Sequence, residues 1–334
     1  MNASRFEGRH EAVLATPATA LPPDRRPVPG PIAILPVSHG RFERAVTDAG
    51  GTVAPLDHDT RGLIWLDNDG AAEFATVLRS HPGIGWVQLP WAGVEGFADA
   101  LRDHARPGLV VTSAKGAYAQ PVAEHILTLI LALLRELPTR LQARSWGEKA
   151  GSSLYGIEGG VVGAGGRAIE FLRMASNFGI RSTVVRRRSE HVADADRTVT
   201  GDRLHEVLAT ADVVVIAAAL TGDTSRLFGA AEFGRMKQSA YIVNIARGGL
   251  IDTAALVDAL TSGSIAGAGL DVTDPEPLPG GHPLWSAPNL IITPHTADTP
   301  EMTGPLLAAR IRQNVSAFLE TGEFAGVVDP EAGY

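Results

Sequence analysis

The chain contains no cysteine. Disulfides, thiolate metal sites and a cysteine nucleophile are therefore excluded. It also lacks an excess of positive charge. A formal net charge of −8 and a pI near 5.7 argue against a nucleic-acid or polyanion partner. A few local basic residues can still hold one phosphate. No apolar stretch is long enough to cross a bilayer. The longest largely apolar one, Ile126 to Leu134, lies between Glu124-His125 and Arg135-Glu136 and reads as a buried helix, so no membrane partner is expected. The ten histidines are scattered without metal-site spacing, and no metal is expected. A continuous apolar signal core is missing too. Pro17, Pro22, Pro23, Pro27, Pro29 and Pro31 interrupt the start of the chain. Residues 1–30 therefore read as a flexible N-terminal extension, and the protein is expected in the cytoplasm.

What is present is regular alternation. At 334 residues the chain suits two domains. Short apolar runs read as strands at Ile32–Leu35, Gly62–Leu66, Trp86–Leu89 and Leu109–Thr112. Between them Arg41–Ala49, Ala71–Ser80 and Val94–Asp103 read as helices. A long helix is expected from about Pro121 to Ala143. A second block follows, with strands at 159–163, 183–185, 213–217, 241–244, 267–270 and 290–293, and a final helix over 300–320. Strands alternating with helices imply an α/β fold, with mostly parallel sheets covered on both faces.

Gly163-Ala164-Gly165-Gly166-Arg167-Ala168 follows a strand and opens a helix. This is a G-x-G-x-x-A form of the dinucleotide fingerprint. Gly163 permits the tight turn, and Gly165 lets the backbone approach a pyrophosphate. Gly166 adds freedom, and Ala168 is small where the helix must pack closely. The helix N-terminus, with Arg167 in its first turn, offers N–H groups to phosphates. At the end of the next strand an NAD site would carry an acid for the ribose hydroxyls. Here the sequence reads Arg186-Arg187-Arg188, and the first acid is Glu190. Arginines pair with a 2′-phosphate and an aspartate repels one. NADP(H) is therefore the expected cofactor, with NAD(H) as the other choice. A solvated basic loop is the bland alternative.

Three polar residues follow in order: Arg247 in Asn244-Ile245-Ala246-Arg247-Gly248-Gly249, Glu276 between Pro275 and Pro277, and His295 in Thr293-Pro294-His295-Thr296. An arginine can grip a carboxylate with two prongs. A histidine can move a proton near neutral pH. A glutamate can orient that histidine and favour its charged form. Each alone has a plain alternative as an ion-pair member, a polar turn or a loop histidine. Together, beside a dinucleotide loop, they suit reduction of a 2-keto acid or oxidation of a 2-hydroxy acid.

On these residues the chain resembles the D-isomer-specific 2-hydroxyacid dehydrogenases, a family that includes glyoxylate/hydroxypyruvate reductases. The resemblance implies a Rossmann cofactor domain at 113–294 and a discontinuous, flavodoxin-like substrate domain at 31–112 plus 295–334, with ligands meeting between them. It implies that Arg247, Glu276 and His295 are catalytic and that Asp271 bonds the nicotinamide carboxamide. It also implies that the Ala92-Gly93-Val94 backbone, read as a helix entry, binds the substrate carboxylate. Trp91 and Trp285 are possible pocket walls or core residues, while Trp65 and Trp86 read as core. A homodimer using the helix around Ile126–Leu134 is implied as well. The sequence departs from the family pattern at Ala219, where a proline is common. Rival readings are a non-catalytic nucleotide-sensing or corepressor-like protein and a dehydrogenase of an unusual substrate such as phosphite.

Overall fold

The computed structural model describes residues 17–329. The chain divides into two compact units, one running to Tyr118 and resuming at Thr299, the other spanning Ala119–Asp298.

The first unit carries β1 (Ala18–Ala20), β2 (Ile32–Leu35), α1 (Gly40–Asp48), β3 (Gly62–Trp65), α2 (Ala71–Ser80), β4 (Trp86–Gln88), α3 (Ala98–His104) and β5 (Val110–Thr112). The second carries α4 (Ala119–Leu134), α5 (Leu137–Gln142), β6 (Glu158–Val162), α6 (Gly166–Ala175), β7 (Arg181–Arg186), β8 (Arg197–Thr200), α7 (Leu204–Thr210), β9 (Val213–Ile216), α8 (Ala230–Phe233), β10 (Tyr241–Asn244), α9 (Thr253–Thr261), β11 (Gly267–Leu270) and β12 (Leu290–Ile292). The chain then returns to the first unit with α10 (Pro300–Ser316) and β13 (Glu323–Ala325).

In the first unit β2, β3, β4 and β5 form a parallel sheet in that order. A parallel bridge from Val53 to Ile32 adds a strand stub outside β2. With that stub the order is the flavodoxin-like one. Alternation along each strand sends Ile32, Ile34, Ile64 and Trp86 into one apolar layer and Ala33, Leu63, Trp65 and Val87 into the other. Trp65 and Trp86 are fully buried, each in a different layer.

The second unit has seven parallel strands in the order β12-β11-β10-β9-β6-β7-β8. Numbered within the unit, this is the doubly wound Rossmann order, which reverses between β6 and β9. Val161, Val184, Val213, Val215 and Val243 face the layer containing α4 and α6. Val162, Val185, Val214, Ile216 and Ile242 face the layer of α7, α8 and α9. These strands carry apolar side chains on both faces, as a sheet covered on both sides requires.

Several sequence expectations need correction. Residues 1–30 are not one flexible extension. Ala18–Ala20 pairs antiparallel with Glu323–Ala325, Leu21 packs on the core and Pro27 is buried; residues 1–16 lie outside the described part. The chain crosses between units after Tyr118 and Asp298, not after Thr112 and Pro294. Tyr118 belongs to the first unit's core and gives its hydroxyl proton to the Pro90 carbonyl at 2.5 Å. Ala297 is buried in the second unit's core. The long helix is two. Glu136 adopts φ 53°, and Pro138 stands in the first turn of the next helix. Its ring and missing N–H prevent continuation. Ile126, Leu129, Ile130, Leu133 and Leu134 are buried in their own unit's core, while Leu127 and Leu131 of the same helix are only partly buried. Among the described residues no helix is long and apolar enough to cross a membrane.

Candidate active site

Because all strands of the second sheet are parallel, the residues after β6, β7, β10, β11 and β12 emerge at one edge. That edge carries the glycine turn, the arginines, Arg247, Asp271 and His295.

Gly163 leaves β6 at φ 108°. A Cβ there would lie 2.6 Å from the Ala217 carbonyl, so only glycine fits. Its N–H donates to Val185 O at 2.8 Å, which ties the turn to the end of β7. Gly165 caps α6 without any side-chain cap bond, and a Cβ added there meets nothing within 4 Å. Open space over an uncapped helix start, with its dipole, fits a pyrophosphate. Ala168 is fully buried, as close packing of α6 demands. Arg167 donates to Ile245 O at 3.3 Å. One residue beyond Val185 begins Arg186-Arg187-Arg188. Arg186 is half-buried and reaches Glu190 O at 3.4 Å, while Arg187 and Arg188 are exposed.

Arg247 sits on a turn stapled by Asn244. The Asn244 carbonyl oxygen accepts from Ala246 N at 3.0 Å, and its amide donates to Arg247 O at 2.9 Å. Gly248 then lies against the Thr273–Asp274 backbone, where a Cβ would strike the Thr273 carbonyl. This close approach joins the arginine turn to the loop carrying Glu276.

His295 Nδ1 lies 2.6 Å from Glu276 Oε1, and both side chains are partly exposed. The other Glu276 oxygen accepts from Thr273 N at 3.3 Å. His295 itself has φ 50°. Asp271 is almost wholly enclosed, with a side-chain exposure of 1%. Its carboxylate accepts from Thr293 Oγ1 at 2.6 Å, Thr296 N at 2.9 Å and Ala297 N at 3.1 Å. Burial pushes its pKa up, but hydrogen bonds from His125, Thr293, Thr296 and Ala297 outweigh that and hold it below the usual carboxylate range. Besides the cofactor contact that the family resemblance implies, Asp271 organises the loop around His295 through its carboxylate. Asp298 behaves oppositely. Burial raises its pKa to about 6, although Arg167, His295 and Arg247 pull it down. Asp298, His125 and Asn244 join this cluster through the fold, with no motif of their own in the sequence.

In the first unit, Ala92, Gly93 and Val94 leave β4 through a bend. The helix entry that follows begins as a 3-10 turn at Glu95–Phe97, capped by Val94, and continues without a break into α3 at Ala98. Trp91 packs edge-on against Tyr118. Trp285, in the second unit, is 54% exposed and donates to Pro279 O. Among the described residues one exposed trio, Asp57, His58 and Asp59, brings metal-type ligand atoms together, on a surface turn.

A Rossmann-ordered sheet with a glycine turn at its reversal point defines a dinucleotide-binding protein. The family profile described as "D-isomer specific 2-hydroxyacid dehydrogenase, NAD binding domain" matches residues 127–297. The chain is 37% identical over 298 residues to a Corynebacterium melassecola protein named "Uncharacterized protein in proB 3'region", covering 87% of this chain and 95% of that one. It is 32% identical over 267 residues to glyoxylate/hydroxypyruvate reductase B of Citrobacter koseri, covering 77% and 82%. The D-isomer specific 2-hydroxyacid dehydrogenase of Xanthobacter autotrophicus Py2, solved with NADPH and MES, is similar in structure. Its TM-score is 0.77 at 27% identity, over 92% of this chain and 100% of that one. The chain belongs to the D-isomer-specific 2-hydroxyacid dehydrogenases. It is an oxidoreductase of that class, with an NAD-binding domain in its second unit.

Proposed function

We propose that the protein is an NADPH-preferring reductase of a small 2-keto acid of the glyoxylate/hydroxypyruvate type. The observation that carries this reading is the His295–Glu276 pair at 2.6 Å, on a loop against which the Arg247 turn is packed through Gly248. Glu276 engages Nδ1 of His295, which leaves Nε2 to carry a proton to the reacting oxygen. Arg247 grips the substrate carboxylate. The backbone N–H groups of Ala92, Gly93 and Val94 are proposed as donors to a carboxylate. Gly163, Gly165, Gly166 and Arg167 hold the pyrophosphate, and Arg186, Arg187 and Arg188 the 2′-phosphate. The bound nicotinamide supplies the hydride. The similar Xanthobacter protein was solved with NADPH, which supports the cofactor choice.

The test is a panel of 2-keto acids with NADPH and NADH, read as loss of reduced-nicotinamide absorbance. Turnover of glyoxylate or hydroxypyruvate with NADPH is expected. No turnover of any 2-keto acid would favour a nucleotide-sensing role. Turnover confined to an oxidisable anion such as phosphite, assayed with NADP+ and NAD+ as a gain of that absorbance, would replace the substrate class.

A homodimer is proposed as well, through the helix around Ile126–Leu134 and the exposed apolar side chains that follow it. Leu141 is 79% exposed, Trp146 96% and Tyr155 69%. Sedimentation of the wild type as a monomer at micromolar concentration would reject it.

A further inference from the structure

His295 is a non-glycine residue in the left-handed region, at φ 50°. Such a bend persists only when its surroundings impose it. Here three successive N–H groups end on one residue. His295 N donates to the Asp271 carbonyl at 2.8 Å, and Thr296 N and Ala297 N donate to the Asp271 carboxylate at 2.9 and 3.1 Å. The position of Asp271 therefore sets the backbone that carries the imidazole.

Asp271 is in turn held from α4. His125 Nε2 lies 2.9 Å from Thr293 Oγ1 and 3.4 Å from Asp271 Oδ1, and its side chain is only 17% exposed. Thr293 Oγ1 lies 2.6 Å from the same Asp271 oxygen. A hydroxyl has one proton to give, and a charged carboxylate at that distance takes it. Thr293 therefore accepts from His125, and Nε2 is the protonated ring nitrogen, a tautomer assigned from this network.

We propose that His125 is a positioning residue for His295: through Thr293 and Asp271 it fixes the bend that aims the imidazole. The proposal rests on the reading of His295 as proton donor. His125 does not act on the substrate; it acts through Asp271.

The test uses the full chain with His125→Leu, His125→Gln and Thr293→Val. Glutamine restores a neutral donor near the Nε2 position, whereas leucine and valine do not. Three readouts are taken: steady-state kinetics with the best keto acid of the panel, dinucleotide affinity by fluorescence, and amide exchange across residues 293–299. With His125→Leu and Thr293→Val, kcat should fall about tenfold to a hundredfold, because small misplacement of a catalytic group is costly. KM and dinucleotide affinity should stay within about threefold. Exchange at Thr296 and Ala297 should rise about tenfold while the strands of the sheet keep their protection. His125→Gln should recover most of kcat. Unchanged exchange in both variants overturns the clamp whatever the activity. Faster exchange with unchanged kcat overturns the positioning role, as does a loss that glutamine fails to rescue. If His125→Leu does not fold, Thr293→Val decides on the same readouts. His295→Asn separates the two ideas: if it stays active, the proton-donor reading falls, while amide exchange still judges the clamp.

Discussion

His295 Nδ1 and Glu276 Oε1 stand 2.6 Å apart, though the two residues come from different loops of the second unit. That distance fixes which ring nitrogen faces the carboxylate and which remains for chemistry. The proposed role of His295 gives a direct expectation. His295→Asn should lower kcat by about 10²–10⁴-fold, the usual contribution of a general acid. Dinucleotide affinity, read by fluorescence titration, should not change. A mutant with near-wild-type turnover removes His295 from the mechanism.

Arg247→Lys tests the carboxylate grip. Lysine keeps the charge but loses the planar pair of donors. KM for the keto acid should rise and kcat should fall, by a combined factor of about 10–100 for one charged hydrogen bond. Steady-state kinetics with both constants unchanged would sink the role.

Gly248→Ala probes how the arginine turn is held to the Glu276 loop. The new Cβ falls on the Thr273 carbonyl, which cannot swing away as a flexible side chain can. Overpacking of this kind costs about 1–3 kcal/mol. Denaturant unfolding should show that loss, and activity should fall with it because the two loops separate. An alanine variant with wild-type stability and kinetics would mean that the contact is not needed.

Asp298 gives a pH-dependent expectation. Its pKa in the folded chain is raised to about 6 from an ordinary 3.8, by burial against the pull of Arg167, His295 and Arg247. The folded state thus holds the proton longer than the unfolded chain does. Stability from this group is present in full below 3.8, declines as pH rises towards 6, and is absent above it. Asp298→Asn removes the titration. At pH 7–8 it should gain up to about 3 kcal/mol relative to wild type, and at pH 3–4 the difference should vanish. Equal unfolding free energies of the two proteins at pH 8 would contradict this.

Much of the architecture was legible because it is written in local patterns. Ile32–Leu35, Ala71–Ser80, Tyr241–Asn244 and Gly267–Leu270 form elements at the limits their apolar spacing suggests. Strand β8 was missed because Arg197-Thr198-Val199-Thr200 is an edge strand with no apolar run. Strand β1 was missed because its partner β13 lies at the other end of the chain and three small residues carry no pattern. The site divides in the same way. Arg247, Glu276 and His295 stand in recognisable motifs, so residue type and order could mark them. His125 is 168 residues from Thr293 in sequence, and nothing local distinguishes it from a helix histidine. Asp298 depends on burial beside Arg167, Arg247 and His295, a grouping only the fold creates.

The cofactor preference rests on the residues that end β7. Gly163 N bonds Val185 O, so the glycine turn and the end of β7 are joined, and Arg186, Arg187 and Arg188 follow directly. An NAD site would want a carboxylate there to accept from the ribose hydroxyls. A charged hydrogen bond to the 2′-phosphate contributes about 1.5–3 kcal/mol, about tenfold to a hundredfold in affinity. NADPH should therefore bind the wild type at least about tenfold more tightly than NADH. The double variant Arg186→Asp with Arg187→Ala should narrow or reverse that ratio, since an aspartate repels the phosphate and serves the ribose. The preference should also shrink as salt is raised, because exposed charge pairs are screened. Fluorescence titration with both reduced dinucleotides decides it. Equal affinities in the wild type, or tighter NADH binding, would leave the three arginines as a solvated loop and the enzyme as an NAD-dependent member of its family.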